Sequence, residues 1–124
     1  MSREREVKCK SKGDDVEMEL IRAAGRMKWE QVPCSNGPSP RHSHTSVAVG
    51  DSVWIFGGTD GKQMFNELWR FDTKSKEWSQ PEATGGVEPR VLTSADVQNN
   101  VIYFHGGRTA SGNVGDTVAF DIGA

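Results

Sequence analysis

An internal repeat constrains this chain more than anything else in it. Shifted by 49 residues, segment 29–75 lies on 78–124 without a gap, and nine of the 47 paired positions are identical. Trp29 meets Trp78, Gln31 meets Gln80 and Gly37 meets Gly86. Pro40-Arg41 meets Pro89-Arg90, Gly57-Gly58 meets Gly106-Gly107, and Phe71-Asp72 meets Phe120-Asp121. These residue types constrain backbone or packing. Character matches between them too: Val53-Trp54-Ile55 against Ile102-Tyr103-Phe104, and Glu67 against Asp116. Such a unit is one supersecondary element that stacks on its neighbours to bury its apolar face.

Each unit reads as short strands. Thr45–Val49 is small and β-branched, and stops at the turn pair Gly50-Asp51. Ser52–Phe56 is a continuous apolar run that suits a strand buried on both faces, ended by Gly57-Gly58. Thr59-Asp60-Gly61-Lys62 is loop chemistry, Glu67–Phe71 the next strand, and Glu77-Trp78-Ser79 a short outer one. Pro81–Pro89 crosses to the second unit. There Leu92–Val97, Val101–His105 and Thr117–Phe120 are the expected strands, with a turn at Asn99-Asn100 and a loop at Arg108–Asn113. The glycine pairs supply positive φ and close approach. The large aromatics suit packing of one unit on the next. Arg41 and Arg90 can form charge-assisted hydrogen bonds to carbonyls or a neighbouring acid.

Four short strands with this punctuation make a blade of a β-propeller. The sequence resembles the kelch-repeat family, whose period is about 50 residues. The resemblance rests on Arg41-His42-Ser43-His44, Trp54-Ile55-Phe56-Gly57-Gly58, Asn66-Glu67-Leu68-Trp69-Arg70-Phe71-Asp72 and Trp78. The second copy adds Pro89-Arg90, Tyr103-Phe104-His105-Gly106-Gly107 and Asp116–Asp121. The opening also resembles the kelch region of leucine-zipper-like kelch regulators. The expected fold is all-β: two kelch blades of four-stranded antiparallel sheet in an incomplete β-propeller. Residues 1–26 are expected to be a charged, largely disordered leader with a strand at 16–21, since 13 of the 26 are charged. Blade 1 spans 27–79, with Trp29 closing a preceding unit, and a truncated blade 2 spans 80–124. A further tryptophan is due at 127, so the second copy is expected to lack its outer strand. Each uncovered blade face would expose about five large apolar side chains, costing roughly 8–15 kcal/mol at about 1.5–3 kcal/mol each. A fragment, or a protomer that self-associates or joins further blades, is therefore expected.

Composition narrows the function. Net charge is −2, with no basic stripe for a nucleic acid. The start carries charge where a signal peptide needs an apolar run, and no apolar run reaches membrane-span length. Cys9 and Cys34 show no metal spacing and read as free thiols. An intracellular, cytoplasmic protein is expected.

No catalytic set emerges. Gly57–Lys62 lacks the spacing of a phosphate loop. His42 and His44 share a strand face without further ligands, so no metal is expected. His105 reads as structural, and Asp14-Asp15 as solvated. A copper-radical propeller enzyme would need several tyrosines, and the chain has only Tyr103. The expectation is a protein–protein interaction module without catalysis or cofactor, binding a protein partner through blade-face loops. The loop residues are Asp60, Lys62 and Arg108. The kelch resemblance adds Arg41, Ser43 and Arg90 to a partner-facing surface, with Leu92 standing opposite Ser43. Two alternatives stand beside it: a fragment of a kelch substrate receptor for a cullin-type ubiquitin ligase, and a truncated product without function of its own.

Overall fold

A computed structural model describes residues 27–83 and 85–123. Every regular element in them is a strand. In the first sheet β1 (Thr45–Val49), β2 (Ser52–Phe56), β3 (Leu68–Asp72) and β4 (Glu77–Ser79) pair in chain order. The second sheet orders β5 (Ser94–Gln98), β6 (Val101–Thr109) and β7 (Gly112–Asp121) the same way. All pairings are antiparallel. The sheets are successive blades and do not close into a ring. The expected leader and its strand at 16–21 lie outside the described residues.

Period-two alternation decides which side chains meet between blades. Trp54 and Phe56 of β2 point toward the second blade, and Ile102 and Phe104 of β6 point back at them. The Phe56 and Phe104 rings lie 4.9 Å apart, and Trp54 and Phe120 5.7 Å apart. Val47, Val49 and Leu68 extend this core on one side, and Ala95, Val97 and Val118 on the other. Ile102 is fully enclosed. Offset ring pairs add about 0.5–1.5 kcal/mol beyond the area they bury.

The opposite face of blade 2 is different. Asp96, Gln98, Tyr103, His105, Thr117 and Asp121 are exposed there. That face is mostly polar, with Tyr103 and Ala119 among the polar groups. The expected cost of an uncovered apolar face is therefore small on this side, because the outward positions of β5 and, Ala119 apart, Thr117 and Asp121 of β7 are polar. Blade 1 keeps Val53, Ile55, Trp69 and Phe71 half-buried on its outward face.

Strands β1, β2 and β4 fall where the sequence places them. The third lies one residue later than expected. β5 begins at Ser94 rather than Leu92, because Leu92 has φ 60° and leaves the extended region. The largest difference is in β6 and β7. Gly106-Gly107 does not stop the strand but forms a bulge, and the ladder continues to Thr109↔Gly112. The expected loop at 108–113 is thus mostly strand, turned at Ala110-Ser111. Thr109 closes it: its hydroxyl donates to the Gly112 carbonyl at 3.3 Å and accepts from the Ser111 amide at 3.1 Å. The free-thiol reading is also corrected at Cys34, which is disulfide-bonded.

Candidate functional site

Thr45 sits opposite Phe56, and Ser94 opposite His105. The segments leading into β1 and β5 therefore emerge at the same end of the blades as the turns after β2 and β6. All six residues singled out in the sequence lie at this end.

Two arginines build its frame. Arg41 Nη2 donates to Glu67 Oε1 at 2.9 Å and to the Ser39 hydroxyl at 3.1 Å. Its guanidinium lies 3.9 Å above the Phe65 ring centre. One repeat later, Arg90 holds Asp116 with two bonds, at 2.8 and 3.3 Å. Glu67 is the repeat counterpart of Asp116, so one clamp occurs twice. The two arginine side chains are only 4% and 2% exposed. The carboxyl of Glu67 is held below the usual range by the Trp69 indole N–H, and then by Arg41. Arg90 does the same to Asp116 through its hydrogen bonds and charge.

Backbone bonds then join the blades at this end. The Arg90 amide donates to the Phe65 carbonyl at 3.2 Å, and the Gly58 amide to the Arg90 carbonyl at 3.1 Å. The Leu92 amide donates to the Ser43 carbonyl at 2.9 Å. The approach leaves no room for side chains on the glycines: a Cβ on Gly57 would lie 2.6 Å from the Arg90 carbonyl oxygen. Phe65, buried in this joint, is a structural residue the sequence did not single out; its only signal was an aromatic inside a polar loop.

The other four candidate residues form the rim. Ser43, half-buried at φ 64°, has its hydroxyl 2.9 Å from His42 Nδ1. Asp60 and Lys62 share one tight turn. Asp60 Oδ1 accepts the amides of Lys62 at 2.8 Å and Gln63 at 2.9 Å. Those backbone amides, Gln63 first, lower the Asp60 carboxyl below its ordinary value. Arg108 is exposed, and its backbone pairs with Val91. Neither Lys62 nor Arg108 forms an ion pair among the described residues.

The site also contains a residue that sequence reasoning had set aside. Leu92 is 68% exposed and holds φ 60°. Positive φ is rare for a bulky side chain. No packing gain offsets the strain here, since the side chain faces solvent. No group of three His, Cys, Asp or Glu among the described residues is close enough to hold a metal ion. No helix among them is long and apolar enough to cross a membrane.

Comparison with known proteins agrees with this geometry. The chain is similar to human host cell factor 2, 37% identical over 103 residues, covering 76% of this chain and 13% of that protein. It is 43% identical over 70 residues to a Drosophila melanogaster homolog of leucine-zipper-like transcriptional regulator 1, covering 56% of this chain and 7% of that protein. It is 32% identical over 89 residues to a flagellar outer-arm dynein alpha chain of Chlamydomonas reinhardtii, covering 70% and 2%. The chain thus spans 13% or less of the length of these relatives. The family model described as the KLHDC2/KLHL20/DRC7 Kelch-repeats domain matches residues 14–124. With two stacked blades, twin arginine clamps and paired glycines, the chain belongs to the kelch-repeat family.

Proposed function

We propose that the chain is the two-blade part of a kelch interaction module that binds a protein partner, without catalysis, through the loop end described above. Kelch-repeat domains are in general protein-interaction modules. In this reading residues 27–79 and 80–124 are the two blades. Arg41 and Arg90 hold the loops in place, while Ser43, Asp60, Lys62 and Arg108 meet the partner.

One observation carries the reading: Leu92, strained and exposed between polar rim groups. Strained backbone persists where the surrounding structure enforces it, and it clusters at functional sites. An exposed Leu flanked by polar groups gives a partner an apolar anchor with a polar rim.

The test is comparative capture from cell extract, using the wild-type chain, Leu92→Asp and the double variant Lys62→Glu, Arg108→Glu. Circular dichroism melts establish that each variant is folded. Proteins retained by the wild type and lost from both folded variants support the reading. Identical retention by all three removes it.

A further inference from the structure

Three places in the sequence put an arginine three residues before a serine or threonine: Arg70 before Thr73, Arg90 before Thr93 and Arg108 before Ser111. That spacing sets a permanent cation beside an oxygen able to accept a phosphoryl group. The fold treats the three unequally. Arg70 Nε donates to the Ser52 hydroxyl at 2.8 Å, and the Thr73 hydroxyl donates to the Asp51 carbonyl at 2.7 Å. Arg90 is enclosed and clamped to Asp116. Thr93 is buried, and its hydroxyl donates to the His105 carbonyl at 2.9 Å. The blades themselves take up both of these pairs.

Arg108 and Ser111 are different, since both are exposed. Among the described residues Arg108 forms no ion pair. The Ser111 amide donates to the Thr109 hydroxyl, whereas the Ser111 hydroxyl makes no hydrogen bond among the described residues. The pair sits at the end of the β6–β7 hairpin, which runs past the glycine bulge and turns at Ala110-Ser111. Blade 1 has no such hairpin: its corresponding loop bridges back through Thr59 to His42 and Met64. Within the hairpin Thr109 is buried, while Arg108 and Asn113, paired across the ladder, are exposed. The Ser111 hydroxyl is thus presented at a tip, close in sequence to an unengaged guanidinium. The end of a ladder and an exposed loop tip open locally at low cost. Here the last pair, Thr109 with Gly112, is tied by a hydroxyl bond of 3.3 Å.

We propose that Ser111 is a phosphoacceptor for an arginine-directed protein serine kinase. In the transfer Ser111 Oγ attacks the γ-phosphorus of ATP. The Oγ–P bond forms, the bond from that phosphorus to the ADP oxygen breaks, and ADP leaves. The hydroxyl proton passes to the kinase's catalytic carboxylate. Arg108 is the group that an acidic substrate groove reads, since charge patterns select kinase substrates. The product carries a charge of about −1.5 to −2 beside the single positive charge of Arg108. The tip therefore changes from cationic to anionic. The transfer stands independently of the partner-binding reading. Its consequence rests on that reading: Arg108 belongs to the rim, and reversing the local charge weakens capture of the partner.

The test incubates the folded 124-residue chain with ATP, magnesium and a purified arginine-directed serine/threonine kinase. Mass spectrometry with fragmentation locates each phosphoryl group. Within residues 27–123, Ser111 is expected to be modified first. Ser111→Ala abolishes that uptake, and Arg108→Ala slows it at least about tenfold, the loss for one charge-assisted contact. Unchanged circular dichroism melts show that both variants are folded. No uptake at Ser111 overturns the proposal. So does uptake at Thr73 or Thr93 as fast as at Ser111, or an Arg108→Ala rate equal to the wild type's. Capture from cell extract with the phosphorylated chain reads the consequence separately. Proteins released by phosphorylation support it, and unchanged retention removes it while the transfer stands.

Discussion

The two blades share one frame and differ in their outer surfaces. Both have an arginine clamped to an acid 26 residues later. Both place a glycine pair where the backbones of adjacent segments nearly touch. Blade 1 is apolar or half-buried on both faces of β2, whereas β6 is buried on one side and exposed on the other. What recurs between the blades builds the stack. What differs is how each blade fills its outward face.

The two sides of β6 should respond most unequally to truncation. Ile102→Ala opens a cavity in the sealed contact between blades and is expected to cost about 2–5 kcal/mol. Tyr103→Ala, next to it but on the polar side, should stay within about 0.5 kcal/mol. Chemical denaturation reads both. Equal losses would mean that the outward face of blade 2 is covered.

Glycines come next. A Cβ on Gly107 would lie 2.6 Å from the Val91 carbonyl oxygen, at φ 108°. Gly107→Ala should therefore destabilise by more than about 1 kcal/mol. Gly86→Ala meets no atom and should leave the melting temperature unchanged. A tolerant Gly107 would contradict the close approach on which the repeat's punctuation rests.

The clamps predict a pH dependence. Glu67 and Asp116 are held below their ordinary values in the fold. The unfolded chain thus binds more protons as pH falls, so their contribution is present above about pH 4–5 and lost as pH drops through the lowered values. Glu67→Gln combined with Asp116→Asn should flatten the acid limb of the stability profile. An unchanged limb would place the acid sensitivity elsewhere.

The smallest effect on stability is expected at the rim. Reversing Lys62 and Arg108 together should leave the melt unaltered, because neither forms an ion pair among the described residues. A drop in melting temperature would show that these side chains support the blades.

Much of this was legible because a repeat reports its own spacing. The strand positions in blade 1 follow from apolar runs and turn residues. The arginine clamps follow from two arginines and two acids that recur together. The hairpin of β6 and β7 was not legible. Its glycine pair reads as a stop, yet a bulge carries the ladder through, and only the Thr109 hydrogen bonds reveal the tight turn. The loop end was half legible. Asp60, Lys62 and Arg108 read as loop residues, but Leu92 read as the start of a strand. Its positive φ recurs at the same repeat position in blade 1, Ser43, whose carbonyl the Leu92 amide meets at 2.9 Å, a contact 49 residues away in sequence.

By itself the sequence determined the period, the strand order and the residues that must recur, because these depend on local turn chemistry and alternation. Only the tertiary structure decided which faces are sealed and which arginines are enclosed. Those properties depend on what lies opposite each side chain, and that is set by the stacking of one blade on the next.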